Sequence, residues 1–257
     1  RPVTISGSRF YDSTTSVNSS DISTFNNTAG GQTLAIIGTG SVATAVAGSG
    51  KTLTLGTLTL ADGTGLASNY SLASGTFDIN SRQVNIAGSR TYDGTTTVSG
   101  TDLVVTTGVG SEVLTVSGVG SIASANVGSG RTVTTGTLAL ASGSGNASNY
   151  SIGSISIDVT QRSVSADFEK IYDATTLVAG SDLKTNGISN TVLGHSLSLS
   201  GTGTMTSTGV AVDKSVSLGT LSLTGAQASN YTLSGGTHTI DVTPRTTNAS
   251  GSRHYDG

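Results

Sequence analysis

One stretch of the chain approaches a nucleotide-binding loop: Ala45-Val46-Ala47-Gly48-Ser49-Gly50-Lys51-Thr52. Such a loop grips phosphate by opening a helix whose first N–H groups face the anion. Here Thr52 begins an alternation of Thr and Leu that reads as a strand, and the matching places further on carry Arg131 and Asp213-Lys214. Phosphate binding is not expected. Metal chemistry has little to work with either. The three histidines, His195, His238 and His254, are not at ligand spacing, there is no cysteine, and the acidic residues are scattered singly. Zinc and calcium sites need clustered ligands, so only a weak calcium site between repeats stays open. No serine sits on the strand-to-helix elbow that nucleophilic hydrolases use. The expectation is no catalytic residue, no cofactor and no metal ligand: the chain is not an enzyme.

Repetition is what the sequence does contain. Tyr-Asp pairs fall at Tyr11-Asp12, Tyr92-Asp93, Tyr172-Asp173 and Tyr255-Asp256, spaced 81, 80 and 83 residues apart. An arginine precedes each by ten residues, at Arg1, Arg82, Arg162 and Arg245. A Ser-Asn-Tyr triplet returns with the same period, as Asn69-Tyr70, Asn149-Tyr150 and Asn230-Tyr231. Asp21-Ile22, Asp102-Leu103 and Asp182-Leu183 form a third marker, and Lys51-Thr52, Arg131-Thr132 and Lys214-Ser215 a fourth. A fixed period is the mark of a repeat protein. The copies are placed at 1–81, 82–161 and 162–244, with 245–257 opening a fourth, and an array continuing past both ends is expected. About eighty residues suffice for a small core of their own.

The markers read as structural. All seven tyrosines occupy them; each ring can plug a small core while its hydroxyl reaches a polar partner. Every copy is therefore expected to collapse around its own two rings. Asp12, Asp93 and Asp173 each open a turn, their carboxylates accepting backbone N–H groups. Ser13, Gly94 and Ala174 follow them, so a positive φ is not demanded there. Arg9, Arg90 and Lys170 stand two places before the tyrosines, where their stems can cover the rings. Asn69, Asn149 and Asn230 are expected to cap turns.

The elements positioning these residues are strands. Val3-Thr4-Ile5, Val84-Asn85-Ile86 and Lys51-Thr52-Leu53-Thr54-Leu55 alternate apolar with polar residues, the period of a half-buried strand. Glycines at 56, 136 and 219 interrupt the last of these runs and its equivalents, predicting a bulge or bend. Six or seven strands per copy are expected, and one helical turn at most, at Ser181-Asp182-Leu183-Lys184 with Ser181 as its cap. The fold class is all-β: small antiparallel β-sandwich modules of immunoglobulin-like architecture joined into a rod, with β-grasp modules as the alternative although no helix is evident. Only the two prolines Pro2 and Pro244 occur, and linkers between copies are nearly absent. The net charge of −3 supplies no basic patch for nucleic acid, and no apolar run reaches the length of a membrane span.

The motif Ser89-Arg90-Thr91-Tyr92-Asp93-Gly94-Thr95-Thr96, with Gly128-Ser129-Gly130-Arg131-Thr132-Val133-Thr134 and Ala147-Ser148-Asn149-Tyr150, resembles the YDG-type tandem repeat domain of large secreted bacterial adhesins, the filamentous-haemagglutinin-like exoproteins. The resemblance covers nearly the whole chain, and Ser13 and Ala174 depart from the motif's glycine. It implies a secreted or cell-surface location, export by a partner transporter, and a role in adhesion and biofilm formation. The expected function is a stalk of spacer repeats. The alternative is that the modules themselves bind a polysaccharide, host glycan or protein, or self-associate. Neighbouring repeats are the expected partners, and this stretch by itself is expected to be monomeric.

Overall fold

A computed structural model describes residues 1–257, and strands dominate it. Repeat one holds eight: β1 (Pro2–Phe10), β2 (Ser16–Asn18), β3 (Ile22–Asn26), β4 (Leu34–Ile37), β5 (Thr39–Val42), β6 (Gly48–Thr54), β7 (Thr59–Asp62) and β8 (Ser71–Asn80). Repeat two follows the same plan with β9 (Arg82–Thr91), β10 (Thr97–Ser99), β11 (Leu103–Val105), β12 (Leu114–Ser117), β13 (Val119–Ser121), β14 (Gly128–Thr132), β15 (Ala139–Ser142) and β16 (Tyr150–Thr160). In repeat three the long first and last strands are broken, giving β17 (Arg162–Ser163), β18 (Ser165–Ile171), β19 (Leu177–Ala179), β20 (Leu183–Ser189), β21 (Ser198–Ser200), β22 (Thr202–Met205), β23 (Ala211–Ser217), β24 (Ser222–Thr224), β25 (Tyr231–Thr232) and β26 (His238–Thr243). The fold is all-β, with more and shorter strands than the alternation alone suggests.

The sheets are mixed rather than wholly antiparallel. In repeat one the order is β2-β5-β6-β8-β1-β3, and the interior pair β1 and β8 runs parallel, with Ile5 beside Gly75 and Gly7 beside Phe77. Repeat three repeats the order as β19-β22-β23-β26-β18-β20, again with one parallel interior pair, β18 on β26. Repeat two has the order β11-β9-β16-β14, beside the two-stranded pairs β10-β13 and β12-β15. Parallel neighbours cannot be joined by a tight turn, so everything between β1 and β8 acts as the crossover. Alternation reports which face is buried but not strand direction, which is why sequence reading missed the parallel pair.

A narrow second layer completes repeat one. The antiparallel pair β4-β7 places Leu34, Ile36 and Leu60 in the same apolar cluster as Val3, Ile5, Phe77 and Ile79 of the main sheet. Gly56 creates this layer. It lies at φ +57°, and a side chain there would meet the Thr39 carbonyl at 2.6 Å. The run that reads as one strand with a bulge is thus two strands in different sheets, with the chain turning at the glycine. Gly136 and Gly219 do the same at φ +54° and +53°.

Helical structure is confined to six three-residue 3-10 turns, so the helix that a β-grasp module needs is absent. Three turns lie at the Asp-Ile/Leu marker, where the carboxylate bonds back to the N–H three residues earlier: Asp21 to Asn18, Asp102 to Ser99 and Asp182 to Ala179. In repeat three the turn spans Gly180–Asp182, and its N-cap is Ala179 rather than Ser181. The other three lie at the Ser-Asn-Tyr marker.

By contact density the chain divides into two compact units, Arg1–Gly88 with Thr97–Ile122 and Thr132–Ile157, and Ser89–Thr96 with Ala123–Arg131 and Asp158–Gly257. The division falls inside repeat two. Every sheet nevertheless belongs to a single repeat.

The residue after each Tyr-Asp pair is left-handed, contrary to the expectation from its variable identity: Ser13 at φ 68°, Gly94 at the equivalent place at φ 79° and Ala174 at φ 62°. The turn geometry is demanded by the Asp bonds whatever residue stands there. Ala174→Gly is therefore expected to stabilise the chain by about 0.5–1 kcal/mol, since an L-residue in this region is strained. A raised urea midpoint at unchanged slope would show it.

Candidate functional site

The Tyr-Asp corner is built the same way three times. Asp12, Asp93 and Asp173 each accept the N–H two residues on, from Thr14, Thr95 and Thr175, all at 2.9 Å. The preceding basic residue does not lie on the tyrosine; it reaches into the turn. Arg9 pairs with Asp12 at 3.2 Å, Arg90 with Asp93 at 2.9 Å and Lys170 with Asp173 at 3.0 Å. Each also bonds a turn carbonyl, at Thr14, Thr95 and Thr175. The ring that Arg9 covers is Phe77, 5.6 Å away. The corner holds the Asp173 carboxyl down at about 2, first through the Thr175 N–H and then through Lys170. A depressed carboxyl contributes stability that is present above the unfolded value of 3.8 and lost as pH falls towards 2.

The corner presents its tyrosine to the next repeat. Within the first unit, the Tyr11 ring of repeat one stands edge-on to Tyr150 of repeat two, with centroids 5.4 Å apart at 75°. Both hydroxyls donate to one carboxylate, Tyr11 to Glu112 Oε1 at 2.6 Å and Tyr150 to Oε2 at 2.7 Å. The buried Asn149 accepts the Ala47 N–H of repeat one at 2.9 Å. The same cluster takes in Val84, Val109 and Leu114 of repeat two. The expected pairing of rings within a copy is not what forms. A tyrosine at the end of a thin module has too little of its own core to bury it, and the neighbour supplies the missing wall.

Within the second unit the arrangement returns with one change. Tyr92 of repeat two meets Tyr231 of repeat three edge-on at 5.5 Å and 83°. His195 takes the place of Glu112: it stacks on Tyr92 at 5.9 Å, and its Nδ1 lies 2.7 Å from the Tyr231 hydroxyl. Asn230 accepts the Val127 N–H at 2.9 Å, and its amide donates to Gln227 at 2.8 Å and Asn126 at 3.1 Å. Asn149 and Asn230 thus reach the preceding repeat rather than capping their own turns. The marker bases serve the same joint: Arg131 donates to the Val127 carbonyl at 2.8 Å, and Lys51 to Thr44 at 3.2 Å, steadying the loops that offer those N–H groups.

At the remaining markers the half-joints differ. Asn69 is exposed and Tyr70 half-buried, with the Tyr70 hydroxyl donating to Gln32 at 2.6 Å. Tyr172 is 36% exposed and Tyr255 95%. Sequence reading missed Gln32, Glu112 and His195, which stand 80 and 83 residues apart. Their period was visible, but their chemistry differs at each place, so no motif marks them. It also missed Asp78, Asp158 and Asp241, each 28 residues after its partner, which bond the Gly50, Gly130 and Asp213 N–H groups at 2.7, 2.6 and 2.9 Å. In the loop that approaches a phosphate pattern, Gly50 therefore already faces a carboxylate, and Gly48–Thr54 is a strand.

No three His, Asp or Glu side chains gather so as to hold a metal ion. His238 is buried, with Nδ1 accepting the Ala166 N–H at 3.1 Å and Nε2 beside the Leu233 carbonyl at 2.9 Å. Lys184 bridges Asp167 at 2.8 Å and Asp241 at 2.7 Å, a surface ion triad across three strands of repeat three. No helix is long and apolar enough to cross a membrane.

A family model for the YDG domain matches three successive stretches, residues 1–77, 79–157 and 158–240. Each match ends a few residues before the arginine that opens the next copy. Neither a curated protein nor a solved structure matches the chain.

Burial first, and then the bond to Glu112, raises the pKa of Tyr11 and of Tyr150 above the ordinary 10.0. Burial and then the Tyr231 phenol do so for Tyr92. A raised phenol stabilises the fold fully below pH 10 and loses that contribution as pH climbs through the folded values. Phenolate absorbance should therefore show these three rings resisting ionisation until the chain unfolds. Truncation should separate filled from open joints. Tyr92→Ala is expected to cost about 3–5 kcal/mol, and the exposed Tyr172→Ala less than about 1 kcal/mol. Equal losses in urea denaturation would refute the joint.

Proposed function

Because the chain belongs to the YDG domain family, we propose that its repeats are structural spacers of a secreted or surface-bound bacterial adhesin, supporting adhesion and biofilm formation. The observation carrying this reading is where the aromatic rings go. Tyr11, Tyr92, Tyr150 and Tyr231 are buried between successive repeats, where they serve cohesion and offer no stacking face to a sugar. Recognition surfaces draw on exposed Tyr, Trp and Arg, and this chain has no tryptophan. The near-absence of linkers supports the same view: β8 ends at Asn80 and β9 begins at Arg82, which leaves no slack for independent tumbling. In this proposal the repeats hold a binding region away from the cell, outside which they arrive through a partner transporter, and their own contribution is mechanical.

Small-angle scattering is the direct test. Three spacer modules in a row should give a maximum dimension of roughly 90–120 Å from the strand rise, and one near 50–60 Å would overturn the stalk. Specific retention of the chain on an array of polysaccharides and host glycans would favour modules that bind in their own right.

A further inference from the structure

We infer that the parallel pair formed by the first and last strands of repeats one and three is a load-bearing clamp, and that repeat three yields first under tension. The inference deepens the spacer reading and rests on it for its purpose, because a stalk is pulled from its ends. Tension enters a repeat through its first strand and leaves through its last. In repeat one those strands are β1 and β8, neighbours that run parallel from Pro2 beside Ser71 to Phe10 beside Asn80. Entry and exit therefore lie at opposite ends of one ladder. Pulling them apart slides one strand along the other and loads every bond together. An antiparallel pair would instead open from one end, bond by bond. The surroundings keep the ladder shut. β3 and β6 flank it on either side, and Val3, Ile5, Phe77 and Ile79 are at most 2% accessible, so its bonds are shielded from water and correspondingly strong. The Tyr11 N–H adds a further bond, to Asn80 at 2.9 Å.

Repeat three has the same clamp with a gap in it. The pairing of β17 with β25 stops at Ser163 beside Thr232, and that of β18 with β26 starts at Ala166 beside His238. The main run then holds six paired residues, against nine in repeat one. Three side chains splice the gap. Ser163 donates to the Ser234 carbonyl at 2.8 Å, and Ser165 accepts the Thr237 N–H at 2.9 Å. The buried His238 spans the rest. Its Nδ1 accepts the Ala166 N–H at 3.1 Å, so Nε2 carries the proton and donates it to the Leu233 carbonyl at 2.9 Å. The two runs on either side of the gap can part in turn, and the splice between them passes load through side-chain torsions that can turn between rotamers.

Single-molecule pulling on the intact chain tests this, since forced unfolding reports the barrier rather than equilibrium stability. Gripped at both ends, the chain should lengthen in three steps of about 250 Å, as roughly eighty residues straighten in each. His238→Ala should lower or abolish the weakest step and leave the other two unchanged. The direction of pull provides a test that leaves the core untouched. The chain has no cysteine, so Ser71→Cys, at an exposed position, gives a unique second grip. Pulling between it and residue 1 peels β1 from β8 at one end, and should need less than about half the force that repeat one bears end to end, because the bonds then break singly. Equal forces in the two directions would overturn the clamp, and a weakest step that His238→Ala leaves unchanged would overturn its placement in repeat three. A chain that is elongated in scattering yet yields equally in both directions would remove the clamp and keep the spacer. A compact chain that resists sliding would do the reverse.

Discussion

A phenol ring buried at the end of a thin β module creates a demand that the module cannot meet alone. Its face needs apolar cover and its hydroxyl needs a partner, since an unpaired buried hydroxyl costs about 1–3 kcal/mol. Tyr11 meets both needs in the following repeat, through Tyr150 and Glu112, and Tyr92 finds its cover there against Tyr231 and His195. The rest of the architecture serves this contact. The Asp turn aims the ring, the Arg or Lys clamp stiffens the turn, and the loop before β6 or β14 brings an N–H to the receiving asparagine.

Two backbone constraints make the arrangement repeatable. The parallel pairing of first and last strands puts the start and finish of repeats one and three side by side inside the sheet. The Tyr-Asp corner leaves directly from the end of β1, and its tyrosine N–H is tied to the end of β8. The left-handed glycines at 56, 136 and 219 then divert the chain into a second layer, so that a module with few aromatic residues still has a two-sided core. Fidelity of the corner does not require one residue type after the aspartate, because the carboxylate bonds impose the conformation on Ser13 and Ala174 as on Gly94.

Repeat three shows how much variation the plan tolerates. Its first and last strands are broken, and its joint uses an imidazole where the previous one uses a carboxylate. Both groups lie within reach of the receiving tyrosine's hydroxyl and the entering ring, yet they differ in charge and in the roles each hydroxyl must take. The ring geometry is preserved, with centroids at 5.4 and 5.5 Å, because it is set by the strands and corners rather than by the third side chain.

From the residues alone came the period, the copy number, the all-β class and the Asp turns, since these are local or periodic properties that a chain cannot hide. Strand direction, the split of one alternating run into two sheets, and the destination of the tyrosines did not. Alternation is blind to direction, and a ring's partner depends on which surfaces meet once two modules have formed. Glu112 and His195 show the boundary most clearly. Each is an ordinary polar residue in the sequence, and each becomes part of a joint only because folding brings it against a tyrosine on the repeat before.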